Sequence, residues 1–137
     1  MFFLIFISLF SQAGMKSVMS GMHGDKMAVS YEVLNNGKHV IVINEFMGRE
    51  GKHSKFKQLE VIELGTMEGK ELSPQGPCKC FINNEPGFTY AVINTKNSCK
   101  TKSINPLKAW SIDQTDMKLI PVKDMKTVNC KWQPDGD

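Results

Sequence analysis

Residues 28–46 read AVSYEVLNNGKHVIVINEF, and their pattern marks the chain as a β protein. Two runs rich in β-branched residues, 28–35 and 38–46, flank Asn36-Gly37. An Asn-Gly pair between such runs is the strongest short hairpin signal, because a type I′ turn needs φ > 0 at both central residues. That turn sets Val33 opposite Val40 and Tyr31 opposite Val42. Leu34, His39 and Ile41 fall on the other face, so residues 40–43 are apolar on both sides and read as a central strand.

Strand signals recur from there to residue 132. Residues 48–54 read as a polar, solvated loop, and 56–64, containing LEVIEL, as a strand. Residues 65–77 hold three Gly and two Pro and read as a loop. A second hairpin is predicted from 79–83 and 88–94 around Asn84-Glu85-Pro86-Gly87, with Phe81 meeting Tyr90 and Cys80 beside Ala91. A third pairs 107–112 with 117–122 around 113–116, placing Trp110 opposite Leu119 and Ile112 opposite Met117. Residues 128–132 form a last short strand. The fold class is all-β: a small antiparallel sandwich or partly open barrel of about 7–8 strands, built from hairpins and disulfide-stapled.

At the other end, residues 2–10 read FFLIFISLF. At about 1.5 Å per residue this run spans about 14 Å as a helix, under half of a hydrocarbon core, so it is too short to anchor. Ser11-Gln12-Ala13 supplies small residues at both positions a signal peptidase reads. The organisation expected is therefore a cleaved signal peptide over 1–13, a flexible Met-rich lead-in over 14–26 and a single β domain over 27–133. No transmembrane segment is expected after cleavage. The location implied is periplasmic or extracellular.

Four cysteines, Cys78, Cys80, Cys99 and Cys130, follow the leader. An even count in a small exported chain is disulfide arithmetic. A Cys78–Cys80 bond would close a very small, strained ring. That leaves Cys80–Cys99 with Cys78–Cys130, or the crossed pairing.

Composition excludes more than it selects. With 17 Lys+Arg against 14 Asp+Glu the formal charge is +3, too mild to argue for nucleic acid. The chain has a single Arg, which disfavours bidentate phosphate recognition. No GxSxG, HExxH, GxxxxGK[ST] or GxGxxG is present, so no catalytic residues are assigned. Glu60 and Glu63 stand at an odd spacing that puts them on opposite faces of a strand.

Two patterns remain as candidate sites. Arg49, Lys52, Lys55 and Lys57 form a basic stretch around Phe56; with Phe81 and Tyr90 it gives a candidate binding surface for a protein or envelope component. The function expected is thus an exported, non-catalytic β-domain binding protein. The alternative is a periplasmic copper-binding protein using Met15, Met19, Met22, His23 and Met27, since thioether and imidazole ligands suit Cu(I).

Overall fold

The computed structural model describes residues 16–133. Among these the chain is nearly all β: ten strands, no α-helix, and one three-residue 3-10 turn at Met125–Thr127. All strand pairings are antiparallel and the sheets do not close into a barrel. The strands gather into two compact units, where the sequence suggests one domain: the first holds the described residues up to Thr66 with Gln114–Lys118, the second Met67–Asp113 and the residues from Leu119 on.

The first unit is a meander of β1 (Lys16–His23), β2 (Met27–Val33), β3 (His39–Glu50) and β4 (His53–Gly65), hydrogen-bonded in that order. The strand β1 corrects the expectation of an irregular lead-in. Its residues carry no apolar period because an edge strand is held by main-chain bonds to one neighbour, and Ser17, Ser20 and Gly21 meet that need as well as larger residues. The leader itself lies outside the described residues.

The β2–β3 turn also departs from expectation. Gly37 N–H donates to the Leu34 carbonyl (2.9 Å), Leu34 N–H donates to the Lys38 carbonyl (2.8 Å), and only Gly37 of the loop has φ > 0, at 85°. The loop is thus three residues, Asn35-Asn36-Gly37: a type I turn closed by a glycine bulge, not the two-residue type I′ turn. One residue of difference shifts the register, so Tyr31 pairs Ile41 and Val33 pairs His39. Every facing assignment across the hairpin changes with it. The central-strand reading survives, because it rests on burial of both faces: Val40, Ile41, Val42 and Ile43 are all buried, and β3 lies between β2 and β4.

The second unit contains a four-stranded sheet in the order β5-β7-β8-β9, formed by Lys70–Ser73, Tyr90–Asn94, Lys108–Asp113 and Lys118–Pro121. Beside it lies a two-stranded sheet of β6 (Cys78–Ile82) and β10 (Val128–Trp132). The strand β5 falls inside the Gly- and Pro-containing stretch read as a loop; its four residues are bracketed by those breakers and pair with β7. The second hairpin is overturned. Its turn forms, with Glu85 N–H bonded to the Ile82 carbonyl and both Asn83 and Asn84 at positive φ. Pro86, lacking an N–H and fixed in φ, then ends the ladder. A single Cys80–Thr89 bridge remains, β7 leaves to pair with β5 and β8, and β6 pairs with β10. Phe81 consequently faces Asn129, and Tyr90 faces Trp110. In the third hairpin Val122 N–H bonds to the Ala109 carbonyl (2.9 Å), where the expected register would bring Ile120. A shift of two residues keeps the faces unchanged.

The crossed disulfide pairing is the one present: Cys78–Cys99 and Cys80–Cys130. Cys130 stands directly opposite Cys80 on β10. Both bridges lie in one buried cluster with Ala91, Ile93, Ala109 and Val128, so the two sheets of this unit share a core. Spans of 21 and 50 residues correspond to about 3–4 kcal/mol each in the chain-entropy description of a cross-link.

Replacing Ile41, fully buried on the central strand, by Ala is expected to cost about 2–5 kcal/mol. Met47→Ala, at a side chain 54% exposed, should stay within about 0.5 kcal/mol of wild type. Urea unfolding of the two variants side by side checks the contrast.

Candidate functional site

The β3–β4 hairpin is longer than the sheet that carries it. β2 supports it as far as the Met27–Glu45 pair, and a last bond runs from Phe46 N–H to the Lys26 carbonyl. Beyond that, residues 47–55 form a two-stranded ribbon with no third strand among the described residues. The stretch read as a solvated loop is therefore an arm. It closes at Gly51-Lys52, with Glu50 paired to His53 and Gly51 at φ 64, a two-residue loop with Gly first.

Two features fix the base of this arm. Phe46 and Phe56 are cross-strand partners with ring centroids 5.5 Å apart and tilted by 54°, an aromatic pairing worth about 0.5–1.5 kcal/mol beyond its buried area. Next to it, Met47 and Gly48 together oppose Lys55, between the Phe46–Phe56 and Arg49–Ser54 pairs. That two-against-one bulge turns the ribbon, and Gly48 takes the left-handed φ of 102° it requires. Asp25, Lys26, Glu45, Phe46, Met47 and Gly48 line an open depression of about 440 Å³ at this point.

The pleat sorts the basic residues. Arg49, opposite Ser54, shares the Phe46/Phe56 face, whereas His53, Lys55 and Lys57 lie on the other. Arg49, Lys52 and His53 are exposed. Lys55 donates to Glu50 at 3.0 Å, and Lys57, half-buried, faces Glu45. Across 45–57 four cations stand against two carboxylates. The arm is a net-positive, solvent-reaching element with Met47 at its root.

The other expected members of this surface lie in the second unit. Tyr90 is buried, only 3% exposed, with Phe88 edge-on at 6.2 Å; burial pushes its phenol up to about 12. It is a core residue and not a contact residue. Phe81, half-buried, sits on a different sheet. The two are not cross-strand partners.

The Met/His set is divided as well. Met15 lies outside the described residues. Met19, opposite Tyr31, and His23, opposite Met27, share one face of β1; Met22, opposite Ala28, is on the other. Four residues of strand separate Met19 from His23 by roughly 13 Å, and Met27 is buried. The four described residues of the set do not converge on a point. Burial lowers the His23 pKa from 6.5, so its neutral form is favoured in the fold. The stability this gives is present above that value and is lost as pH falls toward the lower folded pKa.

The sequence reading missed the arm and the Phe46–Phe56 clasp. The signal available was two long strands joined by a two-residue loop, hidden because the bulge at Met47-Gly48 breaks the alternation. No protein-family model, curated protein or solved structure matches the chain.

The chain has two tyrosines, Tyr31 and Tyr90, and burial raises both above 10. Phenolate absorbance near 295 nm should therefore lag behind that of free tyrosine. Tyr90→Phe is expected to abolish the later-titrating component. A raised folded pKa means stability intact below 10 and lost as pH climbs toward about 12, so wild type should begin to unfold in that window.

Proposed function

We propose that this protein is an exported, non-catalytic β protein that binds an acidic partner, protein or envelope component, through the β3–β4 arm. The carrying observation is the ribbon of residues 47–55, which runs past the last support given by β2 and holds Arg49, Lys52 and His53 in solvent. An unsupported two-stranded ribbon is marginal by itself in water. Retaining one as an extension of β3 and β4 makes sense where it reaches a surface the body of the protein does not.

Two observations support the exported setting. The leader at 1–13 has the length and small-residue ending of a cleavable signal. All four cysteines are joined in disulfides, which persist in oxidising compartments and are rare in the cytosol. Charge on a protruding arm chiefly sets encounter rate and specificity, so the interaction should weaken with salt.

Co-sedimentation with isolated envelope fractions tests the reading. Wild type should bind at low ionic strength and be released as salt rises, and Arg49→Glu with Lys52→Glu should weaken binding by roughly tenfold, about 1.4 kcal/mol. Equal retention of wild type and variant, or none of either, overturns the arm as the contact. Intact mass of the secreted protein tests export: loss of residues 1–13 and a four-proton gain on reduction are expected, and an uncleaved chain that stays inside the cell is the contrary result.

A further inference from the structure

The sheet of the first unit ends on β4, and no strand among the described residues pairs with its outer edge. At 13 residues β4 is the longest strand described, and it exposes Leu59 (38%) and Val61 (43%). A long edge with exposed apolar side chains is a template for another strand. Its charges say which strand fits. Lys55 and Lys57 stand in the first half, Glu60 and Glu63 in the second. Two copies of such a strand running antiparallel bring opposite signs together at both ends, whereas a parallel copy sets like against like.

We propose that the outer edge of β4 pairs with β4 of a second copy about a two-fold axis, in the register that sets Lys57 opposite Glu60. In that register Phe56 faces Val61, Lys55 faces Ile62, and Gln58 faces Leu59 at the centre, each pair occurring twice. An interface of this type is isologous and closes on itself.

The register follows from a bulge. Gln58 pairs with Asn44 and Glu60 with Ile43, leaving Leu59 as an extra residue in β4. In an uninterrupted strand, residues 57 and 60 would point to opposite faces. Here Lys57 pairs with Glu45 and Glu60 with Ile43, two residues apart on β3, so both side chains lie on one face. Phe56 and Val61, opposite Phe46 and Val42, share the other face. The bulge therefore gives both the ion pairs and the apolar pairs matching faces in a single alignment. Bulges and edge charges elsewhere deter strand addition; on β4 they reject a foreign strand and accept this one. The two arms then project from opposite ends of the joined sheet.

Light scattering on the mature protein over a dilution series, coupled to size exclusion, should give twice the chain mass at the concentrated end. Glu60→Lys and Lys57→Glu separately should each weaken self-association by roughly tenfold, because each turns two attractive cross-strand pairs into repulsive ones. The double swap should restore it. Lys57→Glu also faces Glu45 in the same chain, so Glu60→Lys, facing Ile43, decides where the two disagree. Wild type monomeric throughout, or a Glu60→Lys variant that associates as wild type does, overturns the proposal. The Arg49→Glu/Lys52→Glu variant should dimerise normally, so failure of the arm as a contact and failure of this pairing read out separately.

Discussion

The burial of four successive side chains on β3 is the constraint from which the first unit follows. Val40, Ile41, Val42 and Ile43 point alternately to opposite faces of the sheet, yet none is more than 3% exposed. A strand buried on both faces must have its main-chain donors and acceptors satisfied laterally, since water does not reach them. β2 and β4 supply those bonds. The two flanking strands accordingly show mixed faces: Met27, Val29 and Tyr31 are buried and alternate with half-buried Ala28, Ser30 and Glu32. Polar residues on β2 are tolerated where they find partners, as Ser30 does in the Glu32 carboxylate. Tyr31 likewise reaches His39 Nδ1 at 2.7 Å. From this anchored middle β3 continues outward, and its far end becomes the arm.

The second unit buries Leu72, Tyr90, Val92, Trp110 and Leu119 and adds covalent links to them. The cluster around the two bridges is small-chained: four half-cystines, two alanines, one isoleucine and one valine. Side chains of that size release little free energy on burial compared with Leu or Phe. The two cross-links offset this by lowering the entropy of the unfolded chain. Side chain–backbone bonds complete the lateral accounting, with the buried Ser73 hydroxyl donating to the Cys78 carbonyl at 2.8 Å and that of Thr89 to the Trp110 carbonyl. Asn105 does the same for the chain end, donating to the Val128 carbonyl at 2.7 Å.

What could be read from the sequence, and what could not, divides along physical lines. The all-β class, the central strand, the last strand carrying Cys130 and the exclusion of a Cys78–Cys80 bond follow from composition, burial and ring strain, which are properties of short windows; which of the two long-range pairings forms does not. Register did not follow, because it turns on one residue of loop: Asn36-Gly37 serves a type I′ turn and a type I turn with a glycine bulge equally well, and the second won. Partner choice did not follow either. The alternation that put Cys80 and Ala91 on a common face was right as to what is buried together, since both belong to one core. They meet across two sheets and not along one ladder, a distinction that periodicity does not contain. Pairing with Phe81 would set Tyr90 on a surface; with Trp110 as its neighbour it is buried.

The bulges are the deepest reason the arm and the β4 edge are hidden in the sequence. A strand announces itself by a period of two, and each extra residue resets that period. β4 with its partner carries three such interruptions, at Met47-Gly48, Leu59 and Leu64, so the longest hairpin among the described residues has an irregular pattern. Each interruption also does something a regular strand cannot. The first turns the ribbon away from the sheet and lets Arg49 share a face with the phenylalanine pair. The second brings Lys57 and Glu60 to one face though they are three apart. Irregularity that weakens a strand as a sequence signal is thus what gives its edge and its tip a chemical identity, and the functional parts of such a hairpin are expected where the period fails.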